Sequence, residues 1–352
     1  MQQVATLGID AAKNLFQLHG VDAHGKIVLK KRLVRHKVLA FVAGLAPCLI
    51  GLEASGSAHD WARELTKLGH TVQLISPQFV KPYVKGNKND PNDAEAICEA
   101  VGRPHMRFVP IKSVDQQDMQ ALHRIRERQI KARTALVNQI RGLLAEYGVV
   151  MPKGVAQVRQ KLPFILEDAE NGLTMLAREW LQALAAERPA LDQRIQETNT
   201  RMQRVFENHE ACQRLAQLEG VGPLSATAFV AAVGEATTFK NGREFAAWLG
   251  LVPRQHSTGG KPLLLGISKR GDRYLRKLLI HGARAVVRTV DGKQDGRSRW
   301  LQGLIVRRGK IGLGWPRPIK LHASPGSYSR RGSAIAQRPE RTYGPRVADA
   351  PA

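Results

Sequence analysis

Two short apolar runs, each closed by an acid, constrain this chain more than any other feature. Val4 to Ile9 leads into Asp10 in TLGIDAAK, and Cys48 to Leu52 leads into Glu53 in LIGLEASG. Runs of this length, rich in β-branched residues and flanked by glycine, read as buried strands. Two further acids, Asp90 and Asp93, open a helical stretch in NKNDPNDAEAI. The chain carries 54 Lys and Arg against 30 Asp and Glu, a net charge of +24. Four acids at strand ends and a helix start in so basic a chain point to a site that gathers metal ions near a phosphodiester.

The order of elements around these acids gives the expected fold. Val4 to Ile9, Leu15 to Val21 and Lys26 to Val34 read as a three-strand meander, with a turn at Gly25. A helix over about His36 to Leu45 follows, then the strand Cys48 to Leu52. An amphipathic helix from about Ser57 to Leu68, a strand at Thr71 to Ile75 and a helix after Pro91 complete the unit. Meander first and then alternating helix and strand is the order of the ribonuclease H fold, and other α/β folds share parts of that order. The fold class read here is α/β plus α, with residues 1–110 as the α/β unit. Asp10 in GID also fits a sugar-kinase or actin-like ATPase, but the second, phosphate-binding glycine-rich hairpin of those proteins is missing.

In a sheet where their strands are neighbours, Asp10 and Glu53 would emerge at one edge. Asp90 suits an N-cap, with Pro91 at N1 and Asp93 at N3, which puts both acids on one side of the first turn. Hard carboxylate oxygens suit Mg²⁺ or Mn²⁺, and two such ions about 3.5–4 Å apart can clamp the attacking and leaving oxygens of a phosphodiester. Capping and the helix dipole alone also account for an isolated DPxD.

The charge balance selects polyanionic partners, DNA or RNA, without selecting an activity. Cys48, Cys98 and Cys212 show no CxxC spacing, so reduced thiols are expected rather than a disulfide framework or a zinc site. Neither a signal peptide nor a run of about 18 apolar residues appears, so a cytoplasmic protein with no membrane partner is expected.

After residue 110 the periodicity turns helical. Leu122, Ile125, Ala132, Leu136, Ile140, Leu143 and Tyr147 mark one apolar seam, and Leu173, Leu176, Trp180, Leu184, Leu191, Ile195, Thr198, Met202 and Val205 mark a second. Pro163 falls in the connector, and Pro189 is expected to kink or split the second helix. Residues 111–210 thus read as a coiled-coil or dimerisation segment, or equally as a bundle within one subunit. In residues 211–296, LAQLEGVGPLSATAFVAAVG reads as a helix-hairpin-helix. Gly220 and Gly222 would let its turn approach a phosphate, though a simple helix end with a glycine cap has the same signature. Ser257 and Thr258 then precede Gly259 and Gly260 in a flexible basic loop, followed by Lys261, Lys269, Arg270, Arg273 and Arg276. A serine among cations can attack a phosphodiester, and a plain surface turn fits the same residues. Residues 297–352, with twelve Lys or Arg to one acid between Arg297 and Arg346, read as a disordered basic tail.

The ordered set GIDAAK, GLEASG, KNDPNDAEAI, LEGVGPLSA, FAAWLGLVPRQHSTGGK and GISKRGDRYLRKLLIHGA resembles the DEDD-type insertion-sequence transposases. These are also called bridge-RNA-guided recombinases, and pilin-inversion recombinases are relatives. The resemblance covers about residues 4 to 310. It implies a ribonuclease H-like domain, a coiled-coil segment and a C-terminal transposase domain. Asp10, Glu53, Asp90 and Asp93 match the four metal-binding acids, and Ser257 matches a nucleophile that forms a 5′-phosphoserine link to DNA. The implied partners are donor and target DNA, a noncoding guide RNA from the element's flank, and further copies of the chain, a dimer and in the synaptic complex a tetramer. Strand exchange would pass through a Holliday junction, with acids and serine contributed by different subunits. The sequence departs from the family after about Lys310, where an expected alanine-rich helix gives way to RRGKIGLGWPRPIKLHASPGSYSRRGSA, the character of a shifted reading frame. A Holliday-junction-type metal nuclease and an inactive nucleic-acid-binding remnant are the competing readings.

Overall fold

The computed structural model describes residues 3–85, 90–234 and 236–314. The first unit is a six-stranded sheet. Strands β1 (Thr6–Ala11), β2 (Leu15–Val21) and β3 (Ile27–Val34) form the antiparallel meander. Helix α1 (Val38–Ala43) leads to β4 (Leu49–Glu53), α2 (Ala58–Lys67) to β5 (Thr71–Ile75), and α3 (Pro77–Val80) to α4 (Asp90–Val101) and β6 (Phe108–Val109). The strand order is β3-β2-β1-β4-β5-β6, with β4 parallel to β1 and to β5. This is the expected meander-then-alternation order.

Strand residues alternate between two faces. Leu7, Ile9, Phe16, Leu18, Ile50 and Leu52 point to one side and pack with Val38, Val42, Trp61 and Leu65 from α1 and α2. The opposite side carries α4, whose Ile97 and Val101 pack with Ile75 and Leu49.

The second unit is an arm. Helices α5 (Val114–Glu146) and α7 (Met175–Glu207), each of 33 residues, lie along one another with α6 (Val155–Glu167) at one end. Arg126 bonds Asn199 at 2.6 Å, Thr198 bonds Gln129 at 3.0 Å and Arg133 bonds Asp192 at 2.9 Å, so the pair is antiparallel and forms within one chain. Pro163 falls between the two long helices, as expected, and that connector itself carries α6. The second helix is not split at Pro189, since α7 runs unbroken through it. An internal proline costs a helix one hydrogen bond, about 3 kcal/mol, and extended side-chain packing on either side offsets it. The seam of α5 is also partly polar, since His123 and Gln129 are buried while Ile125 is exposed.

The third unit comprises α8 (Glu210–Ala216), α9 (Pro223–Val233), α10 (Gly242–Trp248), the hairpin β7 (Pro253–Gln255) and β8 (Leu264–Ile267), α11 (Arg273–Arg288) and α12 (Gly296–Gly314). Helix α12 corrects the expected disorder from residue 297 as far as Gly314: residues 296–314 form regular helix, and Leu301 is buried. The remainder of the basic tail, residues 315–352, lies outside the described residues. Among the described residues no helix is long and apolar enough to cross a membrane.

Candidate functional site

The acid edge is built by strand register. Gly8 pairs with Gly51 and Ile9 with Leu52 across parallel β1 and β4, so Asp10 and Glu53 take the next positions on adjacent strands. Adjacent parallel strands lie about 4.8 Å apart, and residues two apart share a face. Asp10 and Glu53 therefore share the α4 side of the sheet with Gly8 and Gly51. A Cβ on Gly8 would strike the Ala94 carbonyl and the Cys98 amide, and one on Gly51 would strike Val101 and Ile97. Two glycines thus let α4 lie directly on the strands.

The direction of α4 carries its own acids to the same edge. Cys98 Sγ donates to the Thr6 carbonyl at 3.6 Å, whereas Ala94 sits at Gly8, so the helix runs antiparallel to β1. One turn before Ala94 its first residues reach the level of Asp10. The helix begins at Asp90, and Asp93 falls in its first turn. The Asp90 side chain lies outside the described residues. Among the described residues no three His, Cys, Asp or Glu side chains converge to hold a metal ion. Asp10, Glu53 and Asp93 carry hard carboxylate oxygens, a chemistry that suits Mg²⁺ or Mn²⁺.

Ser257 lies in the connection between β7 and β8, the two strands of the second sheet. The strands β7 and β8 are joined by a tight turn in which Lys261 N–H donates to the Thr258 carbonyl at 3.0 Å. Gly259 and Gly260 have φ of 55° and 76°, the two successive left-handed residues of a type I′ hairpin turn. Two glycines meet that turn's conformation without steric cost. Ser257 is exposed beside it, one residue beyond His256, whose N–H bonds the Leu263 carbonyl at 2.9 Å.

The cations around the hairpin divide. Lys261, Lys269, Arg270 and Arg273 are exposed, and Lys269 holds a left-handed φ of 57°, strained for a residue with a Cβ. Arg276 is buried and donates to the carbonyls of Leu249 at 2.9 Å and Gly271 at 3.0 Å. Its expected role on nucleic acid is corrected, because its guanidinium is spent inside the protein, tying the base of the hairpin to α11. Gly220 is likewise explained by packing. A Cβ there would strike the carbonyl of Gly282 in α11, so the two backbones touch. Gly222, the N-cap of α9, stays exposed with open space around its Cα.

Residues 212–299 match the profile of the transposase IS116/IS110/IS902 family, and residues 7–149 match a DEDD transposase profile of the IS110 group. A probable family 20 transposase of Pseudomonas aeruginosa is 53% identical over 87% of this chain and 90% of its own length. The transposase for insertion sequence element IS1111A of Coxiella burnetii is 48% identical over 88% and 85%. That for IS1328 of Yersinia enterocolitica is 40% identical over 87% and 91%. This chain belongs to the IS116/IS110/IS902 transposase family.

In this transposase the acid edge and the serine hairpin occupy the two matched regions, and the arm lies between them in sequence. The joint to the arm is polar: Arg63 of α2 donates to the Lys112 carbonyl at 2.7 Å and to Gln117 at 2.6 Å. At the other joint, buried His123 of α5 bonds Tyr274 of α11 at 2.9 Å and Thr227 of α9 at 3.1 Å. Burial pushes the His123 pKa down to about 4, so the ring is neutral at pH 7. Sequence periodicity missed both anchors, since a polar residue on an apolar stripe carries no signal of its partners.

Proposed function

We propose that this insertion-sequence transposase cuts and rejoins DNA with Ser257 as nucleophile and with Asp10, Glu53, Asp90 and Asp93 as a divalent-metal site. The observation that carries the reading is the register of Asp10 beside Glu53 with the start of α4 brought to the same edge. Mg²⁺ or Mn²⁺ held there would neutralise charge on the oxygens of the scissile phosphate.

The protein's own groups do the rest. Ser257 Oγ attacks phosphorus, the P–Oγ bond forms as the P–O3′ bond breaks, and the serine proton ends on the released 3′ oxygen. The product is a 5′-phosphoserine link, which a 3′-hydroxyl of the exchanged strand reverses in the same way. The exposed Lys261, Lys269, Arg270 and Arg273 hold phosphates around the hairpin. Asp10 and Glu53 lie at strand ends of the six-stranded sheet, the other two acids open α4, and Ser257 lies in the connection between β7 and β8 of a separate sheet. This favours a site completed between copies of the chain, a dimer and then a tetramer on two DNA duplexes. The net charge of +24 favours a second polyanion, a noncoding guide RNA that chooses donor and target by base pairing. At the α9 N-terminus a phosphate would meet the N–H groups of Gly222 and Leu224, since Pro223 has none and those of Ser225 and Ala226 bond the Gly222 carbonyl.

The test is excision by the purified chain with the element's flanking RNA and a divalent cation. Both Asp10→Ala and Ser257→Ala are expected to abolish it, and wild type is expected to trap a protein–DNA adduct that Ser257→Ala lacks. Full excision by Ser257→Ala with loss in Asp10→Ala would replace the serine mechanism with a metal-dependent junction nuclease. RNA binding by an inactive wild type would mark a remnant.

A further inference from the structure

The outer strand of the sheet carries cations in line with the acid edge. Asp10 pairs with Gln17 of β2, and Gln17 pairs with Arg32 of β3. One step back, Gly8 pairs with His19 and His19 with Lys30. Directly opposed residues share a face, so Arg32 and Lys30 lie on the same side of the sheet as Asp10. Two strand spacings, about 10 Å, separate the Arg32 and Asp10 backbones.

Helix α4 covers the Gly8 and His19 positions, with Glu95 at 4.0 Å from His19, and leaves Lys30 and Arg32 exposed beyond it. Glu95 of α4 is the acid paired with His19, and Lys85 meets it at 3.7 Å. The intervening Lys31 faces the other way, its ammonium 4.3 Å above the Phe41 ring. An outer strand commonly carries charge to discourage pairing with other chains, and either sign serves that purpose. A phosphate ledge requires positive charge, on the acid side.

We propose that Lys30 and Arg32 hold backbone phosphates of the DNA strand whose scissile bond reaches the Asp10–Glu53 edge. The inference rests on the acid-site reading above. At this separation the two cations grip phosphates flanking the scissile one and set the direction in which the strand crosses the sheet.

The test measures binding of the purified full chain to a labelled duplex of the element's end, in chelator, across a salt series. On a duplex each lost phosphate contact lowers the slope of log K against log salt by about 0.9. Lys30→Gln with Arg32→Gln is expected to lower it by about 1.8, Lys31→Gln to leave it unchanged, and Lys30→Arg with Arg32→Lys to retain it. Neutral methylphosphonates beside the cut site are expected to weaken wild type and not the double glutamine variant. An unchanged slope in the double variant, an equal loss in Lys31→Gln, or equal sensitivity to the methylphosphonates would each overturn the proposal. Asp10→Ala excision, run in parallel, separates the two readings. An inactive Asp10→Ala with an unchanged slope sinks only the ledge, whereas an active Asp10→Ala removes the acid site and the ledge's purpose with it.

Discussion

Gly8 of β1 and Gly51 of β4 lie opposite one another, and α4 rests on both. The contact sets the level at which the helix start meets Asp10 and Glu53. A methyl group at position 8 meets backbone on the helix, which cannot swing aside as a side chain would. Gly8→Ala is therefore expected to lift the first turn of α4, destabilise the protein by about 1–3 kcal/mol and abolish excision. Urea unfolding and an excision assay read the two effects.

Arg276 separates structure from nucleic-acid contact. Arg276→Met leaves the buried carbonyls of Leu249 and Gly271 without their donor, at a cost of about 1–3 kcal/mol. Serine-dependent strand transfer is expected to fall with the displaced hairpin base. The salt slope of DNA binding is expected to stay at the wild-type value, whereas Arg273→Gln should lower it, and a binding titration across salt distinguishes them.

The hairpin turn admits a selective test. Gly259→Asn suits the left-handed first position of a type I′ turn and is expected to retain activity. Gly259→Val meets a steric penalty there and is expected to lose most strand transfer with little change in thermal midpoint, since the turn is exposed.

His123 predicts how stability responds to acid. Its folded pKa of about 4 lies below the ordinary value of 6.5. Between those values the unfolded chain binds more protons, so stability falls as pH is lowered from about 6.5 to 4 and this contribution levels off below. His59 adds to the same window: its pKa is also near 4, from burial and then from Lys112 and Arg63, and its Nδ1 accepts the Lys112 N–H at 3.2 Å. His123→Gln is expected to shallow the pH dependence of the urea midpoint in that window without removing it.

The strands and their order were legible because buried strands and alternating faces leave a direct pattern, and Asp10 and Glu53 inherit their placement from it. The arm was legible as two helices but not in its phase. Leu122 and Ile125 read as seam residues, whereas the protein buries His123 and Gln129, whose partners Tyr274, Thr227 and Thr198 lie far along the chain. Arg276 read as one more surface cation because its two acceptors are backbone carbonyls, which sequence does not display. Lys30 and Arg32 carried no motif at all. Their position acquires meaning only through the pairing of β1, β2 and β3.

The polar rungs between α5 and α7 give the arm a fixed length. A slip by one helical turn would strand Gln129 and Thr198 in an apolar seam and part Asp192, held at 2.9 Å by Arg133 and at 2.7 Å by Arg188, from Arg133. Each misplaced buried polar group costs about 1–3 kcal/mol, so the helices cannot telescope. At about 1.5 Å per residue, α5 is a strut of roughly 50 Å, and whatever docks at its far end is held at a constant span from the unit that carries the acids.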